Sequence, residues 1–170
     1  RSINLPANLD ATDSLEKALE GASQVYVAVP SQQLRDTIAI AAPLMEPDCL
    51  VISLMKGVEA LTGLRMSEVL HQAGGIDPAR IAVLSGPNLA LEIAKEQPTA
   101  AVASSLDKQT ASAVASASTN AYFKTFINDD VVGTEFGGVL KNLIAVAVGI
   151  ADGVGYGENT KASIITRGLA

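Results

Sequence analysis

Two stretches decide the fold: CLVISLMKG at 49–57 and IAVLSGPN at 81–88. Each is a short run of apolar, largely β-branched residues that stops at a charged or small residue. With no polar alternation, such runs read as strands buried on both faces of a parallel sheet. Outward from them the pattern repeats, with VYVAV (25–29), TAAVAS (99–104) and YFKTFIN (122–128) as further strands. Helical segments lie between: DSLEKALEG (13–21) ending at Gly21, and a helix opened by Pro30-Ser31 with Leu34, Ile38 and Ala41 at helical spacing. Residues 64–73 stop at Gly74-Gly75, a helix beginning at Pro87 carries Leu91 and Ile93, and Asp107–Ser118 forms another. Strands alternating with helices define an α/β fold, a mostly parallel sheet with helices on both faces and right-handed crossovers.

The pattern changes at residue 129. VVGTEFGGVLKNLIAVAVGIAD (131–152) places Val132, Phe136, Leu140, Ile144 and Val148 four apart. It reads as one long helix, apolar on nearly every side and so expected to be buried on nearly every side. GVGYGEN (153–159) reads as a glycine-rich loop, and TKASIITRGLA opens another helix with Asn159 or Thr160 as N-cap. Residues 1–128 are therefore an α/β part, and 129–170 the first helices of an all-helical part.

Composition narrows the function. Of 170 residues 48% are hydrophobic and 18% charged, which excludes intrinsic disorder. A net charge of −6 argues against a nucleic-acid partner, which wants a basic face. One cysteine (Cys49) and one histidine (His71) provide no internal disulfide and no metal set, and a reducing, cytoplasmic compartment fits. The opening RSINLPANLD has no apolar signal-peptide core, and the run Leu143 to Ala151 is well short of the ~20 residues of a membrane span. The chain starts at Arg1 and stops inside a helical pattern without a capping residue, so it is expected to be a piece of a longer one.

In an open parallel sheet, ligands sit at the carboxyl ends of the strands. The candidates there are Pro30-Ser31-Gln32, Lys56-Gly57 and Ser85-Gly86-Pro87-Asn88. Lys56 would hold a phosphate or a polarised oxygen, and Gly57 would let a ligand approach the backbone; a solvated turn lysine is the plain alternative. The SGPN turn offers free backbone N–H groups to an anion, or is an ordinary strand-to-helix turn. Lys141 is the sharpest signal. Across 136–151 the only other polar side chain is Asn142. An amine in that setting must pair, lower its pKa or line a polar cavity, and a lysine so placed serves as proton donor and acceptor. A snorkelling lysine at an interface, or one in a structural salt bridge, is the alternative. Gly137 and Gly138 point to a ligand or another backbone close by. Glu135 either caps the long helix or pairs with a cation. Cys49 reads as core, while His71 and the Glu92, Lys95, Glu96 set read as surface. No GxSxG elbow occurs, and no GxGxxG follows a strand.

Three stretches taken together carry a resemblance: MKG (55–57), SGPNLALEI (85–93) and EFGGVLKNLIAVAVGIADGVGYGENTKASIITRGLA (135–170). With AVPSQ (28–32), they make the chain similar over essentially its whole length to the NAD(P)-dependent glycerol-3-phosphate dehydrogenase family, bacterial type. The resemblance implies a Rossmann-like sheet followed by the start of a helical substrate domain. It implies Lys141 as catalytic proton donor and acceptor, and Lys56 as a contact to both substrate and cofactor. Gly86, Asn88 and Asn142 would bind substrate, and Ala90 and Pro30 the cofactor, NAD or NADP. Asn88 keeps a polar amide where the family often has Ser or Thr.

The implied reaction is hydride transfer between NAD(P)H and dihydroxyacetone phosphate, giving sn-glycerol 3-phosphate for phospholipid synthesis. The implied protein is a cytoplasmic homodimer with no metal, no nucleic-acid partner and no membrane span. In the family, a GxGxxG loop lies before Arg1 and a Ser-Arg-Asn phosphate site after Ala170, so this piece alone is expected to be inactive. Two other readings are a related dehydrogenase for another hydroxy acid, and a non-catalytic module on the same fold.

Overall fold

A computed structural model describes residues 6–169. Five strands, β1 (Gln24–Val27), β2 (Leu50–Ser53), β3 (Ile81–Ser85), β4 (Thr99–Ser104) and β5 (Phe123–Asn128), form one sheet in the order β1-β2-β3-β4-β5. All neighbours run parallel except β3 and β4, which pair antiparallel with Val83 opposite Ser104 and Ser85 opposite Val102. The reversal puts the end of β4 beside the start of β3, where Ser105 Oγ donates to the Ile81 carbonyl at 2.7 Å.

Alternate residues of the central strands feed two cores. Val51 and Ile81 join Leu34 and Ile38 of α2 (Leu34–Ala41) and Val69 and Leu70 of α3 (Met66–Gly74) on one face. Ile52, Ala82 and Leu84 meet Val114 of α5 (Lys108–Ser118) and Phe123 on the other. Val51 and Ile52 are both fully buried, as a two-sided strand requires. The chain also carries a short α1 (Leu15–Leu19), capped by Ser14 and followed by Gly21 in a left-handed turn. Asp107 caps α5 through the Thr110 N–H.

After β5 the chain enters α6 (Val131–Val154), capped by Asp130, and then α7 (Glu158–Gly168). Lys161 on α7 ties back to Asp152 at 2.8 Å. Gly168 lies so close to α6 that a Cβ there would sit 2.7 Å from Ile144 Cγ1.

Four local expectations are corrected. VYVAV is only half-buried: Val25, Val27 and Val29 face the first core, while Tyr26, 40% exposed, lies on the other face, which the second core does not reach. The helix expected from Pro87 starts three residues later, as α4 (Ala90–Ile93), because Pro87 to Leu89 stay in the turn where Asn88 N–H bonds the Gly86 carbonyl. The glycine-rich loop shrinks to 155–157: α6 runs to Val154 and closes on Gly155 at φ 88°, and Gly157 rather than Asn159 or Thr160 caps α7.

The fourth correction concerns α6 itself. It buries Val131, Glu135, Gly138 and Ala151 but leaves Leu143, Val146 and Ile150 exposed. Its apolar surface exceeds what β3, β4 and α7 can cover. Its 24 residues and hydropathy would also suffice to cross a membrane by length and composition, which the shorter run Leu143 to Ala151 did not indicate. Here the helix is seated on the start of α3 through Glu135 and on the end of β3 through Gly138.

Candidate active site

The carboxyl ends of β1, β2 and β3 bring their loops together. Gly57, at φ 152°, sits against the loop after β1, and a Cβ there would meet Ser31 Oγ at 2.9 Å. Gln32, in that loop, holds the loop after β2 in both directions, donating to the Val58 carbonyl at 2.8 Å and accepting from Ala60 N–H at 2.9 Å. Arg35 grips Glu59 with two bonds of 2.8 Å. The loop after β2 is thus held along its length, and Lys56 stands at its root.

The Arg35 guanidinium and the Thr62 hydroxyl hold the Glu59 carboxyl down at about 2, against an ordinary value of 4.5. Because the folded-state value is depressed, the grip is complete above pH 4.5 and is lost as pH falls towards about 2. A scan of thermal midpoint against pH should show the wild-type full-length protein losing its advantage over Glu59→Gln across that window.

Lys56 Nζ donates to the Gly86 carbonyl at 3.1 Å, spanning the ends of β2 and β3. Burial pushes its amine below the usual lysine range, and the nearby charge of Lys141 pushes it the same way. Lys141 reaches the site from α6. It lines a cleft of about 230 Å³ with Ser85, Gly86, Pro87, Val102, Thr134, Gly137 and Gly138. It also borders the groove between α6 and α7, beside Asp152 and Lys161.

Lys141 is exposed rather than embedded in apolar surroundings, which corrects the sequence expectation. Gly137 and Gly138 have no side chains to cover it, and the apolar residues around it are themselves uncovered. It lines a cavity, one of the outcomes open to such an amine.

The two glycines do different work. A Cβ on Gly138 would press on Ser85 Oγ at 2.9 Å and Lys56 Cγ at 3.4 Å, so this glycine lets the helix sit on the site. A Cβ on Gly137 would meet nothing within 4 Å and would project into the cleft. Gly86 is tighter still: a Cβ would lie 2.7 Å from the Ala100 carbonyl and 3.1 Å from Ala101 Cα. Those are backbone atoms of β4 and cannot step aside, so Gly86→Ala should cost about 1–3 kcal/mol of stability in the full-length protein, read from the denaturant midpoint.

Asn88 is half-buried, and its Oδ1 is buried without a hydrogen-bond partner among the described residues. Its own turn thus leaves a strong acceptor unsatisfied beside Gly86. Lys56, Gly86, Asn88 and Lys141 therefore come together. Pro30 and Ala90 are exposed at the same sheet end, outside the cleft lining, and Asn142 is exposed on α6 and lines neither cleft.

Sequence reasoning missed Thr134, which the helical repeat places on the Lys141 face seven residues earlier, and missed Arg65 and Ser67 altogether. Of the two readings left open for Glu135, capping the helix or pairing with a cation, it takes the second, with Arg65 at 2.7 Å. His71 is exposed, and Cys49 is buried in the core.

A mostly parallel sheet with helices on both faces, whose carboxyl edge meets an amine from the following helix, is a Rossmann-like architecture. The chain belongs to the NAD-dependent glycerol-3-phosphate dehydrogenase family: the model of that family's N-terminus matches residues 1–111, and the model of its C-terminus matches 130–170. A glycerol-3-phosphate dehydrogenase [NAD(P)+] from Leifsonia xyli is 66% identical over 169 residues, covering 99% of this chain and 46% of that protein. One from Frankia casuarinae is 52% identical, covering 99% and 50%. The crystal structure of a glycerol-3-phosphate dehydrogenase from Coxiella burnetii superposes with TM-score 0.87 at 33% identity, covering 98% of this chain and 50% of that one. That from Plasmodium falciparum gives 0.89 at 27%, covering 98% and 46%. The chain spans about half the length of the curated relatives it matches.

Proposed function

We propose that the full-length protein catalyses reversible hydride transfer between NAD(P)H and dihydroxyacetone phosphate, producing sn-glycerol 3-phosphate for phospholipid synthesis. The observation that carries this reading is the convergence of Lys56 and Lys141 on the end of β3, beside the unsatisfied oxygen of Asn88. That set fits a polar, anionic ligand: two amines, one buried acceptor, and the side-chain-free wall at Gly137.

When held there, a nicotinamide cofactor would supply the hydride for the carbonyl carbon. Lys141 gives a proton to the substrate oxygen as negative charge grows on it, and takes one from the hydroxyl in the reverse direction. Lys56 stays tethered to the Gly86 carbonyl and orients the substrate oxygens with a charge fixed in place. Asn88 accepts from a substrate hydroxyl, and Asn142 adds a polar contact. Pro30, Ala90 and Lys56 form the cofactor side.

Residues 1–128 are read as the second part of the dinucleotide-binding domain and 129–170 as the first helices of the substrate domain; the family-model limits at 111 and 130 support that division. The protein is read as cytoplasmic, with the uncovered stripe of α6 meeting a second copy. Light scattering that finds the full-length protein monomeric would remove that part.

The test is consumption of NADH and of NADPH by the full-length protein with dihydroxyacetone phosphate. Turnover supports the reading. No turnover overturns it, and preference for another small ketone in a substrate panel gives the reaction to a related dehydrogenase.

A further inference from the structure

We propose that Glu135 is a positioning residue for Lys141, setting the rotation of α6 above the site; this rests on the proposed role of Lys141. Glu135 is only 6% exposed and both its carboxylate oxygens are used. Oε1 accepts from Ser67 N–H at 2.9 Å, and Oε2 from Ser67 Oγ at 2.6 Å and Arg65 Nη1 at 2.7 Å. All three donors belong to the start of α3. Arg65 is itself fixed there, its N–H donating to Glu68 at 2.9 Å and its Nη2 paired with Glu68 at 3.0 Å.

The loop that leads to Arg65 is the one that leaves Lys56. Its ends approach through a bridge between Val58 and Arg65, and Glu59 N–H bonds the Leu64 carbonyl at 2.9 Å. Glu135 therefore grips the far end of the loop whose near end carries Lys56. One turn further along α6, Gly138 rests on Ser85 and on Lys56 itself. One more turn brings Lys141, six residues and about 9 Å beyond Glu135 along the axis.

The helix is thus seated at two successive turns, and the second seat is too small to resist rotation alone. Each residue is ~100° of rotation in a helix with 3.6 residues per turn, so a modest roll would carry the Lys141 amine out of the cleft. Beyond these seats α6 buries Val131 at its start and Ala151 near its end, and most of its remaining length is uncovered. A carboxylate buried here is a poor source of stability compared with a well-packed apolar side chain. What it supplies is direction, since three donors on one rigid helix start hold it in one orientation.

The test is a double-mutant cycle in the full-length protein with two readouts. Glu135→Gln should lower kcat for dihydroxyacetone phosphate roughly tenfold, with KM and cofactor affinity nearly unchanged, because a misplaced proton donor costs turnover rather than binding. In a Lys141→Ala background the same change should add nothing, whereas an equal loss in both backgrounds overturns the proposal.

The second readout needs no turnover. Competitive acylation of the lysines against pH should show the Lys56 amine titrating at higher pH in Glu135→Gln, as the charge of Lys141 swings away, and no change once Lys141 is alanine. An unmoved Lys56 titration overturns the proposal even if the protein turns over no ketone phosphate, so this failure and that of the proposed reaction are separable. If Glu135→Gln does not fold, Ser67→Ala removes one donor, keeps the ion pair, and should give smaller changes of the same kind in both readouts; their absence overturns the proposal equally.

Discussion

Replacing Lys141 by alanine in the full-length protein is expected to lower turnover of dihydroxyacetone phosphate by roughly 10²–10⁴-fold, the usual worth of a positioned acid–base group. Cofactor affinity should stay within about twofold, because the amine meets the reacting oxygen and not the dinucleotide. The geometry behind this is specific. Lys141 lines the cleft with Ser85 and Gly86 and carries a charge felt by Lys56. Steady-state kinetics with a parallel cofactor titration checks it. Near wild-type turnover in this variant would remove Lys141 from the chemistry, and a large loss of cofactor affinity would give it a different task.

Arg65→Ala is expected to be the most damaging change outside the cleft. Arg65 is 17% exposed at its side chain and Glu135 4%, so this is a mostly desolvated pair. Removing the cation leaves Glu135 with Ser67 alone, a buried carboxylate without its counter-charge, and such losses cost about 3–5 kcal/mol. The same substitution strips α3 of its ion pair to Glu68. Urea denaturation of the full-length variant should show a midpoint well below wild type with an unchanged slope. Arg35→Ala, which breaks a more exposed pair at the surface, should cost far less.

Much of this fold was legible because buried strands write themselves locally. CLVISL and IAVLSG appear as β2 and β3 with both faces covered, and the helix expected over Asp107–Ser118 appears as α5. What failed depended on neighbours distant in sequence. VYVAV looks fully buried by composition, but a strand's second face needs a partner that composition does not name. Lys141 looks embedded by its own helix, but the glycines beside it and the uncovered helix face leave it open to solvent. The Lys56, Gly86 and Asn88 set was legible because strand ends are where ligands sit in this architecture. Arg65 and Ser67 were invisible because they lie 70 and 68 residues from the carboxylate they hold.

The antiparallel pairing of β3 and β4 has a consequence for how the chain can vary. Because β4 and β5 run backwards relative to β3, the chain leaves β5 at the amino edge of the sheet, and α6 must travel back across it to deliver its lysine. That return stroke behaves like a ruler. Losing or gaining one residue between Glu135 and Lys141 would swing the amine by about 100°. Length changes should thus be tolerated in the surface turn at 119–122, ahead of β5, and rejected between 135 and 141, even where every side chain in that interval accepts substitution.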